Sequence, residues 1–163
     1  MALDVMSEWR AKGRIVADLE WTRLTPWRQP IAQMFDNTTR GNPFSKFHTI
    51  DVAHTDEKPN AGALYVAGWL AAPHHAKVSL LRTSGHGPGI HRITLRSDTE
   101  TIEFERTACD CMTLRSTNGR ERKYNFQDLE LHTLMNEELA VVGRDAAFES
   151  AFLRARELIR DYK

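Results

Sequence analysis

Residues 61–83 read AGALYVAGWLAAPHHAKVSLLRT, and the change of period inside them decides the fold. Ala61 to Ala72 is apolar all round, which marks a helix covered on every side. Its small residues leave room for strands or a second helix to come close. Pro59 and Asn60 open this helix and Pro73 stops it. From Lys77 onward the pattern switches from helical to alternating. Lys77–Thr83, Ile90–Arg96, Thr101–Thr107, Met112–Ser116 and Arg122–Phe126 read as five short strands. The connections SGHGPG, SDTE, ACDC and TNGRE carry Gly, Asn or Asp where turns need them. Connections this short imply antiparallel neighbours. Phe47–Ala53 alternates as an earlier strand, with His48, Ile50 and Val52 on one side and Phe47, Thr49 and Asp51 on the other.

Helices flank these strands. Val5, Met6 and Trp9 share one helical face near the N-terminus, and Gly13 ends that helix. Thr25 before Pro26 is a helix start, with hydroxyl cap and proline at the first helical position. Trp27, Ile31, Met34 and Phe35 follow at helical spacing. The segment 37–46 reads as a loop. Asp128 is expected to cap a helix that turns Leu131, Leu134, Met135, Leu139 and Val142 inward, ending at Gly143. Asp145 caps the last helix, with Phe148, Phe152, Ala155, Ile159 and Tyr162 inward. The whole reads as an α+β domain: an antiparallel meander of about five to six strands with helices packed on one face.

Composition narrows the function. A chain of 163 residues suits one domain. Twenty-two basic residues balance twenty-two acidic ones, so the overall excess of positive charge that favours nucleic acid is missing. The longest apolar run, Ala61–Ala72, is about a third too short for a bilayer. The N-terminus has acids early and no apolar segment of the signal-peptide kind. Two cysteines do not make a disulfide scaffold. These features place the chain in the cytoplasm, off the membrane.

The residues that carry chemistry are sparse. Cys109 and Cys111 form a C-x-C pair, a candidate redox switch, but lack the partners of a zinc site. None of the seven histidines repeats at i, i+4, as a metal-binding helix requires. SGHGPG matches neither glycine-rich phosphate loop and precedes a strand, so it reads as a hairpin loop. Glu103 and Glu105 share a strand face, with Arg115, Arg120, Arg122 and Lys123 on the following segments; such opposite charges stabilise a solvated sheet. No cofactor and no metal are expected.

One stretch stands out. Residues 18–36, DLEWTRLTPWRQPIAQMFD, hold two of the four tryptophans, each close to an arginine. Buried rings anchor a core; Trp and Arg also concentrate at the energetic centres of interfaces. Trp21, Arg23, Trp27 and Arg28 are therefore the candidate partner-binding residues, with the rings fixing the arginines from behind.

The same stretch resembles the D-L-x-W-[ST]-R-x-T-x-W-R segment of the OpcA family, bacterial glucose-6-phosphate dehydrogenase assembly proteins. ALYVAGWLAA at 63–72 is similar to that family's A-G-W-L-A block, and LHTLMNEELAVVGRDAAFESAFLRA at 131–155 resembles its ending. The resemblance covers about residues 16–156 and corresponds to the C-terminal half of longer proteins. It implies that residues 1–17 are a lead-in from an N-terminal half and that 18–163 form the OpcA-like domain. It also implies a non-catalytic accessory protein that promotes oligomer assembly and allosteric activation of glucose-6-phosphate dehydrogenase, in the oxidative pentose phosphate pathway that yields NADPH. The dehydrogenase would be the partner, and self-association remains open. Two other readings compete. One is a small-molecule sensor for a sugar phosphate or nucleotide, using His86, His91 and basic strand residues. The other is a hydrolase built on the histidines.

Overall fold

The computed structural model of the chain describes residues 2–35, 44–73, 76–85, 87–140 and 143–161. In chain order its elements are α1 (Ala2–Ala11), α2 (Leu19–Arg23), α3 (Thr25–Phe35), β1 (Thr49–His54), α4 (Ala61–Ala71), β2 (Lys77–Arg82), β3 (Ile90–Arg96), β4 (Thr101–Ala108), β5 (Cys111–Ser116), β6 (Glu121–Asn125), α5 (Leu131–Ala140) and α6 (Ala146–Asp161). The expected residues His74, His75, His86, Val142 and Tyr162, and loop positions 37–43, lie outside the described residues.

α4 is buried nearly all round, as its sequence requires: Ala63 to Gly68, Leu70 and Ala71 are all covered. The Asn60 side chain accepts from the Ala63 amide at 2.8 Å and caps it. One side of α4 packs on β1 and β2, the other on α6. At the α4–α6 crossing a Cβ on Gly68 would stand 2.4 Å from the Ala151 carbonyl oxygen, so only glycine permits that approach.

The strand order is β2-β1-β3-β4-β5-β6. This corrects the expected meander. β3 to β6 do form consecutive antiparallel pairs, but β2 pairs with β1 in parallel, Thr49 opposite Lys77 through His54 opposite Arg82. β1 lies between β2 and β3. The physical reason is α4: it is a crossover long enough to return the chain for a parallel strand. The SGHGPG stretch is therefore not a hairpin loop. It carries the chain past the end of β1, where the Thr55 amide and hydroxyl bond the Gly89 carbonyl at 2.9 and 3.3 Å.

The inner face of the sheet brings Ile50, Val52, Ile93, Leu95, Ile102, Phe104, Met112 and Leu114 into one core. The outer face carries charge. Arg96 pairs with Asp51, Arg92 with Glu103 at 3.7 Å, and Arg115 with Glu105 at 2.9 Å. Between these long side chains Thr94 and Thr113 are buried. The expected solvated, cross-strand charge face is present.

The helix ends show which local readings hold. Gly13 takes φ +76°, and the bonds Gly13 N–H to Arg10 and Arg14 N–H to Trp9 close α1 as a glycine-terminated helix. Its covered face is Met6 and Arg10; Val5 and Trp9 stand exposed. α3 takes its first bonds from the Leu24 carbonyl, not from a Thr25 cap; the Thr25 hydroxyl donates back to Thr22 at 2.7 Å. Asp128 does not cap α5 but pairs with Arg106 at 2.8 Å. α5 meets expectation only at Leu134, which is buried; Leu131, Met135 and Leu139, also expected inward, are exposed. Asp145 does cap α6, accepting from the Ala147 and Phe148 amides at 2.9 and 3.0 Å. Phe148, Phe152 and Ala155 point inward as expected, and Ile159 is partly buried against the same core.

Candidate functional site

α2 and α3 meet at a corner, and the candidate residues are divided between its two sides. Trp21 and Trp27 are each 3% exposed and belong to the core. Trp21 packs edge-on to Trp69 and against Phe148; Trp27 meets Phe126 with ring centroids 5.2 Å apart. The Trp21 indole N–H donates to Asp145 at 2.8 Å. Asp145 therefore caps α6 with one oxygen and anchors α2 with the other.

Arg28 stacks over the Trp21 ring, its guanidinium carbon 3.9 Å from the ring centroid. It lines a cleft of about 200 Å³ with Asp18, Thr22, Glu137, Glu138 and Asp145. Burial lowers the Arg28 pKa; Asp145, Glu137 and Glu138 pull it back up. The Thr22 hydroxyl donates to Glu138, tying α2 to α5. Asp18 accepts from the buried Tyr65 hydroxyl at 2.6 Å and from the Glu20 amide at 3.0 Å. Burial, then that bond to Asp18, pushes the Tyr65 pKa up, which keeps it a neutral donor.

On the other side of the corner Arg23 is exposed and pairs with Glu20 at 3.1 Å. Arg23 and Trp27 line a smaller cleft of about 70 Å³ with Asn60, Gly62, Gly89, Arg106 and Asp128. Arg28 thus stacks on Trp21 on one side, while on the other Arg23 pairs with Glu20 and shares only the lining of a cleft with Trp27.

Several participants escaped the sequence reading. The second role of Asp145 has no local signal, because its partner is 124 residues away. Arg106 had one: it falls at the inward position of an alternation running Ile102, Phe104, Arg106, where an arginine must find partners.

The other candidates are placed elsewhere. Cys109 is exposed in the β4–β5 turn, Cys111 begins β5, and both are free thiols. His91 faces Glu105 at 3.6 Å. The basic strand residues Arg92, Arg96 and Arg115 are engaged with acids on the outer face. Of the other described histidines, His48 and His54 lie at the two ends of β1 and His132 on α5. Among the described residues no group of three or more His, Cys, Asp or Glu is placed to hold a metal, and no helix is long and apolar enough to cross a membrane.

What the fold and its two clefts define is a small α+β domain with its distinctive surface at a Trp/Arg corner. Comparison with known proteins gives that class its family. The OpcA family model, which describes the C-terminal domain of a glucose-6-phosphate dehydrogenase subunit, matches residues 14–152, and the chain belongs to this family. It is also similar to a putative OxPP cycle protein OpcA from Synechocystis sp. (strain ATCC 27184 / PCC 6803 / Kazusa), with 37% identity over 62 residues. That match takes in 37% of this chain and 13% of the relative's length.

Proposed function

We propose that this chain is a non-catalytic accessory domain that binds glucose-6-phosphate dehydrogenase in the cytoplasm, promotes its assembly into oligomers and raises its activity. The observation that carries the reading is the family match across residues 14–152, which includes the whole Trp/Arg corner. In this reading residues 18–163 are the docking domain and 1–17 its lead-in. An activator shifts an enzyme only by binding the active form more tightly than the inactive one. Arg23 supplies a solvent-facing polar contact, and Arg28 supplies another from the edge of its cleft. Trp21 acts from behind Arg28, and Trp27 anchors the wall of the cleft that Arg23 lines.

The test is capture of glucose-6-phosphate dehydrogenase from the source cell's extract on the immobilised chain, with activity assayed in bound and unbound fractions. Retention with raised specific activity supports both docking and activation. Retention at unchanged activity removes activation from this domain, and no retention removes the partner. Arg23→Glu is the informative variant: Arg23 is half exposed and its ion pair with Glu20 lies within its own helix turn, so its loss is expected to weaken capture without lowering the melting temperature.

A further inference from the structure

The smaller cleft holds a cation that its surroundings do not satisfy. Arg106 is 5% exposed, and its Nη2 donates to the Cys109 carbonyl at 3.0 Å and to Asp128 at 2.8 Å. Its Nε is buried without a partner, and no bond to Nη1 is found among the described residues. A buried guanidinium carries five donors, and leaving part of them unmatched is costly. The side chain lies over the Phe126 ring, 4.6 Å from its centroid, so its plane is fixed. Its acidic partner among the described residues, Asp128, is 69% exposed and sits at the rim.

Glycines stand close to this arginine among the side chains of Leu24, Trp27 and Phe126 that line the cleft. A Cβ on Gly87 would lie 3.3 Å from Arg106 Nη1, and Gly87 and Gly89 both take positive φ. Gly62 stands in the first turn of α4 and lines the same cleft. The first-turn amides of Ala61 and Gly62 have no acceptor within the helix and sit at its positive end. Arg23 closes the rim. Arg106, Arg23 and Gly62 at the positive end of α4 line one space of about 70 Å³, and the ion partners Glu20 and Asp128 line it with them. Two guanidinium groups beside a helix N-terminus suit a phosphate.

We propose that the cleft between Arg106, Arg23 and the N-terminus of α4 binds a phosphate group, either free or as the monoester of a small molecule. The phosphoryl oxygens take the open Nη1 donors of Arg106 and the α4 amides, and the ion partners Asp128 and Glu20 swing toward solvent. The site is distinct from the histidines and outer-face arginines expected for a sensor, and it does not depend on the chain's binding a dehydrogenase.

The experiment uses the whole chain alone. Inorganic phosphate is titrated while amide and Arg Nε resonances are followed by NMR, with acetate at matched ionic strength as a separate arm. Saturable shifts confined to Gly62, Gly87, Gly89 and Arg106, at least about tenfold tighter for phosphate than for acetate, are expected. Asp128→Asn, which removes the competing rim carboxylate, is expected to tighten phosphate binding severalfold. Gly62→Leu, which fills the cleft from the first turn of α4, is expected to abolish it while the melting temperature holds. Shifts that never saturate, equal response to acetate, or binding untouched by Gly62→Leu would each overturn the proposal. A small phosphate monoester binding more tightly than inorganic phosphate assigns the ligand to the ester; equal affinity assigns it to the free ion.

Discussion

Single atoms decide how closely two helix backbones cross. Adding a methyl group at Gly68 places it 2.4 Å from the Ala151 oxygen and 3.0 Å from the Ala155 nitrogen, both backbone atoms of a packed helix. Neither can move without moving α6. Gly68→Ala is therefore expected to cost about 2–3 kcal/mol in urea unfolding, although alanine is the better helix former. Gly62→Ala is the control on the same helix: its nearest neighbour is 3.4 Å away, and it should lose no stability. A second residue carries pH dependence. Burial opposes ionisation of Glu100, but hydrogen bonds from Lys46, Ser116 and Asn118 outweigh it and hold the carboxyl below its ordinary value of 4.5. Its folded-state pKa is depressed, so its contribution is full above pH 4.5 and fades as pH falls through the lower folded value. Glu100→Gln should lower the melting temperature at neutral pH, and the gap from wild type should close on acidification. A gap that stays constant to acid pH would show that the ion pair contributes nothing. The sequence shows Gly68 only as one small residue among many; nothing local distinguishes it from Gly62.

Among the elements, the terminal helices show how far pattern reading goes. α6 was legible because its cap and its apolar stripe agree: Asp145 precedes it, and Phe148, Phe152 and Ala155 repeat on one side. α5 was not. Leu131, Met135 and Leu139 make a better apolar stripe than the face it buries, which carries Leu134 between polar residues. Tertiary contact overrode the pattern, because α5 rests on α2, where Thr22 meets Glu138. The Asp128 cap failed for a similar reason: the carboxylate is drawn to Arg106, a residue 22 positions earlier in the chain. Asp145 joins α6 to α2 through Trp21. Asp145→Ala removes a cap, worth about 1 kcal/mol, and leaves a buried indole N–H unpaired, worth about 1–3 kcal/mol. A loss of about 2–3 kcal/mol in denaturant unfolding is expected. Asp145→Asn keeps a capping oxygen but faces the indole N–H with an NH2 group, so it should recover only the cap's share, about 1 kcal/mol; equal losses for both variants would show that the cap contributes nothing.

For the whole molecule, the sequence yields the strand count, the buried helix and the charged outer face, but not the strand order. The short SGHGPG connection looks the same whether it closes a hairpin or passes the end of β1. What distinguishes the two is the pairing of β1 with both β2 and β3, which joins segments far apart in the chain. The same placement makes the fold one unit. β1 lies between β2 and β3, α4 touches β1, β2, α2 and α6, and residues from α2 through α6 share a single core. In a variant with Trp9 and Trp69 replaced by Phe, Trp21 and Trp27 report on that core from the helical corner, whereas far-UV dichroism reports on sheet and helices together. If the core is one cooperative unit, both signals must follow the same urea transition with one midpoint. The Gly68→Ala and Asp145→Ala costs should then each shift the two curves equally, with unchanged slope, because slope tracks the surface exposed on unfolding. Should tryptophan emission change at lower urea than the dichroism, the Trp/Arg corner would unfold ahead of the sheet. The clefts on its two sides would then be properties of a separable helical layer.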